Sequence, residues 1–160
     1  MRPTGSRARL DQALRDHAID DRVAGLVLEA AERRPVEPCW SSATEVALAA
    51  ASDAYGALYV RRGSLAIALD RERARTLQLL HGFGVGDDGG PTARLRVSSA
   101  DLRDPERREL VLGIVLEALD RSDDGPRWSR GLPDRVVRRG GLCPGCGLEL
   151  SLTGVCPVCD

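Results

Sequence analysis

Four of the five cysteines lie close together near the end of the sequence, in two Cys-x-x-Cys pairs. Cys143 and Cys146 form the first pair, Cys156 and Cys159 form the second, and residues 147–155 separate them. Two residues between thiolates allow a tight turn whose backbone N–H groups point at sulfur, so both thiolates reach one ion. A second such turn supplies two more thiolates and completes a tetrahedral set of ligands around the ion. The spacing therefore predicts a metal site with four cysteine ligands, and Zn²⁺ is the ion that this donor set favours.

The segment between the two pairs has the pattern of a short hairpin. Residues 148–152 alternate apolar and polar side chains, and Thr153-Gly154 turns the chain back toward Cys156. Residues 143–160 resemble the short zinc-ribbon modules that many bacterial proteins carry at a terminus. The resemblance covers this stretch alone, and it implies a structural zinc whose binding energy folds the segment. Protein fills all four coordination positions, whereas a catalytic zinc keeps one position open. A rubredoxin-like iron site is the alternative, but the close ligand pairs and the lack of surrounding aromatic residues favour zinc.

A basic stretch with the sequence RWSRGLPDRVVRRGG precedes the cysteines. In a nucleic-acid contact, its arginines would bind phosphates and its tryptophan would stack on a base. The alternative is a solvated linker whose tryptophan packs on the protein, and we favour it because the net charge of the whole chain is only −1. The candidate contact residues for nucleic acid or a partner are Arg127, Trp128, Arg130, Arg138 and Arg139.

The fifth cysteine, Cys39, lies next to Trp40 and is a candidate nucleophile if His17 or His81 activates it. No motif brings these side chains together. Free cysteine is among the residues most often buried, so we expect Cys39 to be an inert thiol in the core.

Composition indicates one main globular domain with a small appendage. The chain has 160 residues, of which 42% are hydrophobic and 29% are charged. No apolar run reaches the length of a membrane span and the first residues lack a signal-peptide core, so we expect a cytoplasmic protein. In that reducing compartment, paired Cys-x-x-Cys motifs are metal ligands rather than disulfides.

Helical patterns dominate the first part of the chain. A polar helix is expected through Leu10 and Leu14, and Asp20 or Asp21 caps a second helix that ends before Pro35. Residues 35–38 are expected to be a connector. Residues 42–45, Ser-Ala-Thr-Glu, have the form of a capping box and predict an alanine-rich helix that ends at Gly56. The predicted core face of the second helix comprises Val23, Leu26, Val27 and Ala30.

The pattern then changes to strands. Residues 57–60 and 65–69 predict a hairpin around the turn at 61–64, and residues 93–98 predict a further strand. Asp70 is expected to cap a helix that carries Ala74, Leu77 and Leu80 inward and ends at His81-Gly82. Residues 84–91 are expected to be a flexible loop. Asp104-Pro105-Glu106 begins the most clearly amphipathic helix in the sequence.

These expectations combine into an α+β fold in which helices flank a small antiparallel sheet of about three strands, with a C-terminal zinc ribbon. The expected domains are residues 1–122, a linker of Arg, Gly and Pro at 123–141, and the ribbon at 142–160. So small a sheet leaves a face or edge that the first helices, a second copy of the chain or another partner must cover.

The expected function is that of a non-enzymatic binding or adaptor protein with a protein partner and no membrane partner. The ribbon would contribute to recognition. The first alternative is a nucleic-acid-binding or regulatory protein that uses the segment from Arg127 to Arg139, and the second is a small thiol enzyme that uses Cys39.

Overall fold

The structure is a computed structural model that describes residues 4–50, 56–87, 91–123, 140–142 and 149–150. The helices are α1 (Thr4–Asp16), α2 (Asp21–Arg33), α3 (Arg71–His81) and α4 (Pro105–Asp123). The strands are β1 (Glu37–Ser41), β2 (Glu45–Ala49), β3 (Leu58–Arg61), β4 (Ser64–Asp70), β5 (Gly84–Asp87), β6 (Thr92–Ser98), β7 (Gly140–Leu142) and β8 (Glu149–Leu150).

The chain divides into two compact units, Met1–Pro126 and Arg127–Asp160. In the second unit, the described residues form one antiparallel pair of short strands, β7 with β8. The linker and ribbon that the sequence predicts for 123–160 lie mostly outside the described residues.

The first unit is built on a six-stranded antiparallel sheet with the strand order β1-β2-β3-β4-β6-β5. The first four strands follow one another as a meander, and β6 lies between β4 and the edge strand β5. In β4 and β6 every second side chain is buried. The register places Leu65 opposite Val97 and Ile67 opposite Leu95, so the apolar side chains of neighbouring strands lie on one face of the sheet.

All four helices contribute side chains to the core on that apolar face. Helix α3 contacts β4, β5 and β6, α4 contacts β4, α2 contacts α4, and α1 contacts β1. Because successive side chains of a strand lie on opposite faces, Tyr59, Ala66 and Arg96 lie on the sheet face opposite this apolar one. The fully buried side chains of α4 include Val111, Leu112, Val115 and Leu119.

Several local predictions are confirmed. The Asp20 carboxylate accepts a hydrogen bond from Arg22 N at 2.9 Å and caps α2, whose buried residues are the four that the sequence assigns to its core face. Gly82 ends α3 in the left-handed conformation, with φ of 70°. The Asp104 carboxylate accepts from Glu106 N at 3.2 Å at the start of α4.

The prediction of about three strands is wrong, because the sheet has six. The predicted connector at 35–38 extends into β1, and the predicted alanine-rich helix is the strand β2. All five residues of β2 are buried, so both faces of the strand are covered and its sequence lacks the polar-apolar alternation that marks a half-exposed strand.

Two further expectations are corrected in the segment around α3. The predicted loop at 84–91 contains β5, a glycine-rich edge strand paired with β6. Leu80 does not face the core: its exposed fraction is 69%, whereas Ala74 and Leu77 are buried as expected. Leu79 is exposed as well, so the last turn of α3 lies outside the core.

Asp70 lies at the start of α3, as predicted, but its side chain makes no capping hydrogen bond. Its carboxylate accepts from Arg121 at 2.7 Å, and Arg121 also pairs with Glu117 at 3.1 Å. Glu117 in turn accepts two hydrogen bonds from Arg73, at 3.2 and 3.1 Å. This network joins the beginning of α3 to the end of α4. Among the described residues, no helix is both long and apolar enough to cross a membrane.

Candidate functional site

The residues that the sequence singles out for metal and nucleic-acid binding lie outside the described part of the chain, so both sites stay predictions. Within the described residues, no group of three or more His, Cys, Asp or Glu side chains is arranged to hold a metal ion. The residues outside the description are Cys143, Cys146, Cys156, Cys159, Arg127, Trp128, Arg130, Arg138 and Arg139.

Cys39 is exposed, so the expectation of a thiol buried in the core is wrong. The β1–β2 register shifts between Pro38 and Trp40, and Cys39 is the additional residue of this irregularity. Its thiol lies 3.4 Å from Ala47 O. A bulge on an edge strand turns a side chain out of the regular alternation, which explains why a residue type that is usually buried lies at the surface here.

The two histidines lie in structural contacts at helix ends. The ring nitrogens of His17 are 2.9 Å from Ala13 O and 2.8 Å from Ser42 O, which ties the end of α1 to the turn after β1. The ring of His81 lies against Phe83, with the ring centroids 6.1 Å apart. Hydrogen bonding therefore holds the His17 ring in place, and the His81 ring packs against Phe83.

A concavity of about 580 Å³ lies on the sheet face opposite the helical layer. We call this sheet face the helix-free face. It is defined by the residues that line the concavity on it, namely Tyr59, Arg61, Ala66, Arg94 and Arg96. Tyr59 is paired with Ala66, and Ala66 with Arg96, so these three side chains form one row across β3, β4 and β6. Alanine between two long side chains leaves a shallow slot.

Two guanidinium groups from β6 lie in this concavity. The guanidinium carbon of Arg94 is 3.9 Å from the centroid of the Tyr59 ring, a cation–π contact. The Arg96 guanidinium lies over Gly86: a Cβ atom at that glycine would be 3.1 Å from one terminal nitrogen. The absence of a side chain at Gly86 is therefore what allows Arg96 to lie along the sheet.

A third guanidinium comes from Arg61 on β3. Its Nε donates to the Glu45 carboxylate at 2.7 Å, across the β2–β3 pairing. Glu45 is the only buried charged residue in the described part of the chain, with an exposed fraction of 7%. A buried carboxylate requires a partner, and the Arg61 guanidinium supplies it through Nε while most of the Arg61 side chain stays exposed.

Asp101 also lines the concavity. Its carboxylate accepts from Ser98 N and Ser98 Oγ, both at 2.8 Å, and from Arg107 Nε at 2.9 Å. Burial raises the pKa of the Asp101 carboxyl. The hydrogen bonds from Ser98 and the charge of Arg107 together lower it by more, so the pKa lies below its ordinary value. Asp101 is therefore a carboxylate held by existing donors.

Among the described residues that line the concavity, guanidinium groups outnumber carboxylates, three against two, with Glu45 paired to Arg61 and Asp101 paired to Arg107. Such a surface attracts anionic groups, and guanidinium forks bind carboxylate or phosphate in two-point contacts. Sequence reasoning assigns no role to these arginines. The signal that points to them is the alternation of arginine with apolar residues at 93–98, which puts both β6 arginines on the same side of the strand.

The first unit is thus an α+β protein with a helical layer on one sheet face and an arginine-lined concavity on the other. Comparisons of the chain with family models, with curated proteins and with solved structures found no match.

Proposed function

We propose that this chain is a non-enzymatic binding protein of the cytoplasm, in which the α+β unit recognises a protein partner and a C-terminal zinc ribbon adds a second contact. The observation that carries the proposal is the arginine-lined concavity on the helix-free face. A sheet covered by helices on one side leaves its other face to water or to a partner.

The chemistry of this face suits recognition. Arginine and tyrosine are enriched among the residues that dominate protein interfaces, because each combines apolar area with directed hydrogen bonding. Here the Tyr59 ring packs against the Arg94 guanidinium, and the Glu45 carboxylate forms an ion pair with Arg61. Side chains held in place before binding lose less conformational entropy when a partner docks.

The four cysteines fit zinc by donor chemistry. Four thiolates saturate a tetrahedral ion, so the metal would have a structural role in folding the ribbon rather than a role in a reaction. Reduced thiols are required, which accords with the proposed location in the cytoplasm. Residues 143–160 would then form the second contact with the partner.

The test is affinity capture from a native lysate with two baits, the full-length chain and a chain truncated after Gly125, followed by identification of the enriched proteins. The full-length bait is expected to enrich a protein partner, and the truncated bait is expected to retain it more weakly because the ribbon contact is lost. If neither bait enriches a protein above the bare resin, the proposal is wrong.

The nucleic-acid alternative is tested separately by filter binding of single-stranded DNA and RNA over a range of salt concentrations. A protein adaptor is expected to bind both weakly. A steep fall of affinity with salt would indicate phosphate contacts and would favour the arginines of 127–139 as a nucleic-acid surface.

A further inference from the structure

The two edges of the six-stranded sheet differ in how they are protected against pairing with another strand. At the β1 edge, Pro38 has no backbone N–H, the register is interrupted at Cys39, and α1 contacts the strand. At the opposite edge, β5 contains no proline and pairs regularly with β6 over all its residues. Among the described strands, none lies on the outer side of β5. Strand β5 is therefore the edge at which pairing is least hindered.

The hydrogen bonds between β4 and β6 show which residue of β5 points outward. At one end of this pairing, Ser99 N donates to Gly63 O at 2.9 Å. Residues of an antiparallel pair alternate between hydrogen-bonded and non-hydrogen-bonded positions, so the odd-numbered residues of β6, Leu95 among them, bond to β4 and the even-numbered residues bond to β5. Val85 lies opposite Leu95. The N–H and C=O of Val85 therefore point away from the sheet.

The side chains around this edge indicate what can lie on it. Val85 is half-buried and packs against the core, so it lies on the side of the helical layer. Gly84 pairs with Arg96, so Gly84 and Gly86 lie on the helix-free face. The Arg96 guanidinium lies over Gly86, where a Cβ atom would be 3.1 Å from a terminal nitrogen, and within the described part of the chain it forms no ion pair. The glycine thus lets a positive charge reach the sheet edge.

A strand added at this edge would lie about 4.8 Å beyond β5. Its residue opposite Val85 would exchange backbone hydrogen bonds with Val85 and place its side chain on the same side of the sheet, where an apolar group covers the exposed part of Val85. The residues before and after it would place their side chains on the helix-free face, beside the Arg96 guanidinium, which binds carboxylates. The edge thus fits an extended segment in which acidic and apolar residues alternate.

A second copy of this chain fits the edge less well. Antiparallel pairing of β5 with β5 of another copy would keep equivalent sheet faces together, so both Arg96 guanidinium groups would lie on one face over neighbouring strands. Like charges this close repel each other, whereas a carboxylate on a different partner attracts.

We propose that β5 pairs with an extended segment of a partner protein, which adds a strand to the sheet and places an apolar side chain beside Val85 and a carboxylate beside Arg96. Backbone hydrogen bonds supply affinity in such a complex, and the alternate side chains supply specificity. The proposal rests on the binding function proposed above and specifies the edge that binds and the chemistry of the partner.

The experiment measures fluorescence anisotropy of labelled peptides titrated with the full chain. The first peptide alternates Glu and Val, the second is the same peptide methylated at every backbone nitrogen, and the third has Lys in place of Glu. The second and third are expected to bind roughly tenfold more weakly than the first, about 1.4 kcal/mol, because one lacks backbone donors and the other is repelled by Arg96. Equal binding of the first peptide and either of the others overturns the proposal.

Variants at Val85 test the backbone contact. Val85→Pro removes the outward N–H and leaves the bonds to β6, which Gly84 and Gly86 make, so it is expected to weaken the Glu-Val peptide roughly tenfold. Val85→Thr is the matched control, because it keeps the donor and the branched shape, and it is expected to retain most of the affinity. Equal losses in the two variants show that the outward N–H is not used and overturn the proposal.

Arg96→Ala tests the charge contact with two peptides, the Glu-Val peptide and a Gln-Val peptide. It is expected to weaken the first roughly tenfold and to leave the second unchanged, because only the first carries a carboxylate for Arg96. The control is Arg75→Ala, which removes the same charge from an exposed position on α3. Equal losses for both peptides, or an equal loss in the control, overturn the proposal.

The lysate capture separates this proposal from the proposed function. A partner captured equally by the unchanged chain and by Val85→Pro leaves the binding function standing and overturns the strand-addition proposal. A dimer of the unchanged chain on gel filtration that Val85→Pro converts to a monomer assigns the edge to a second copy, and it overturns the proposal as well. Far-ultraviolet circular dichroism checks the fold of each variant. Arg96→Ala truncates an exposed side chain, so it tests the proposal even if Val85→Pro loses the fold.

Discussion

Arg107 connects three parts of the first unit through one side chain. Its Nε donates to Asp101 at 2.9 Å and its terminal nitrogen donates to His81 O at 2.9 Å, while its guanidinium carbon lies 4.2 Å from the centroid of the Phe83 ring. The planar guanidinium can donate at its edge and stack with its face at the same time, which the ammonium of lysine cannot do. Arginine at this position thus has a structural role, in contrast to the exposed Arg96.

The lowered pKa of Asp101 makes the stability of the fold depend on pH. The carboxyl binds its proton less readily in the folded chain than in the unfolded chain, where its pKa is about 3.9. Its charged form therefore stabilises the fold above that pH, and the contribution is lost as the pH falls through the folded pKa. Glu29 acts in the same direction because the hydrogen bond from Arg108 lowers its pKa, against an opposing effect of burial.

We expect Asp101→Asn to lower the free energy of unfolding by about 1–2 kcal/mol at neutral pH, because charged hydrogen bonds to Arg107 and Ser98 are weakened. The difference from the unchanged chain is expected to shrink as the pH falls below the ordinary pKa of an aspartate and then through the lowered pKa of folded Asp101. Urea unfolding at a series of pH values from neutral into acid measures this.

Glu109→Gln is the control for that measurement, because Glu109 is exposed on α4. Its free energy of unfolding is expected to stay within about 0.5 kcal/mol of the unchanged chain. A constant loss in Asp101→Asn at all pH values would show that the charge of Asp101 is unimportant.

At the scale of elements, the turn at 42–45 shows how one local sequence can have two uses. Ser-Ala-Thr-Glu has the spacing of a helix capping box, but here Ser42 N donates to Glu45 O at 2.9 Å and Thr44 N donates to Ser42 Oγ at 3.3 Å. These bonds close the hairpin between β1 and β2. Serine and threonine satisfy backbone groups in turns by the same means as at helix ends, so the choice depends on what the next residues pack against.

The inner and outer faces of α3 can be distinguished by mutation. Leu77→Ala is expected to lower the free energy of unfolding by about 2–5 kcal/mol, because Leu77 is buried and its removal leaves a cavity. Leu80→Ala is the matched control and is expected to change it by less than about 0.5 kcal/mol, since the side chain is exposed. Urea unfolding of both variants measures the difference. Similar losses would show that α3 is rotated from the orientation described here.

At the scale of the whole molecule, we expect the two compact units to have different sources of stability. The first unit buries a continuous core between its helices and one sheet face. The second, Arg127–Asp160, is far shorter, and a unit this small usually needs a metal or disulfides to fold.

We therefore expect the full-length chain to purify with about one zinc ion per chain, measured by mass spectrometry of the metal after gel filtration. Cys156→Ser removes one of the four predicted ligands and is expected to lower the zinc content strongly. Cys39→Ser is the matched control and is expected to keep it. Absence of metal from the unchanged chain, or equal loss in the control, contradicts the predicted ribbon.

Much of the first unit could be predicted from the sequence, because its patterns are local. The caps and core faces of α2 and α4, the β3–β4 hairpin and β6 each show a clear period of 3.6 or 2 residues. The pairing of the cysteines is equally local, and it identifies the predicted ligands by spacing alone.

Tertiary structure decided the rest. Strand β2 is covered on both faces and β5 is rich in glycine, so neither has the alternation that identifies a strand, and both form because neighbouring strands supply their hydrogen bonds. Tertiary structure also placed Arg61 on the same face as Arg94 and Arg96, because β3 and β6 both pair with β4 and their registers set which residues share a face. Residues far apart in the chain meet only when strands pair, and for that reason the helix-free face could not be identified from any one segment.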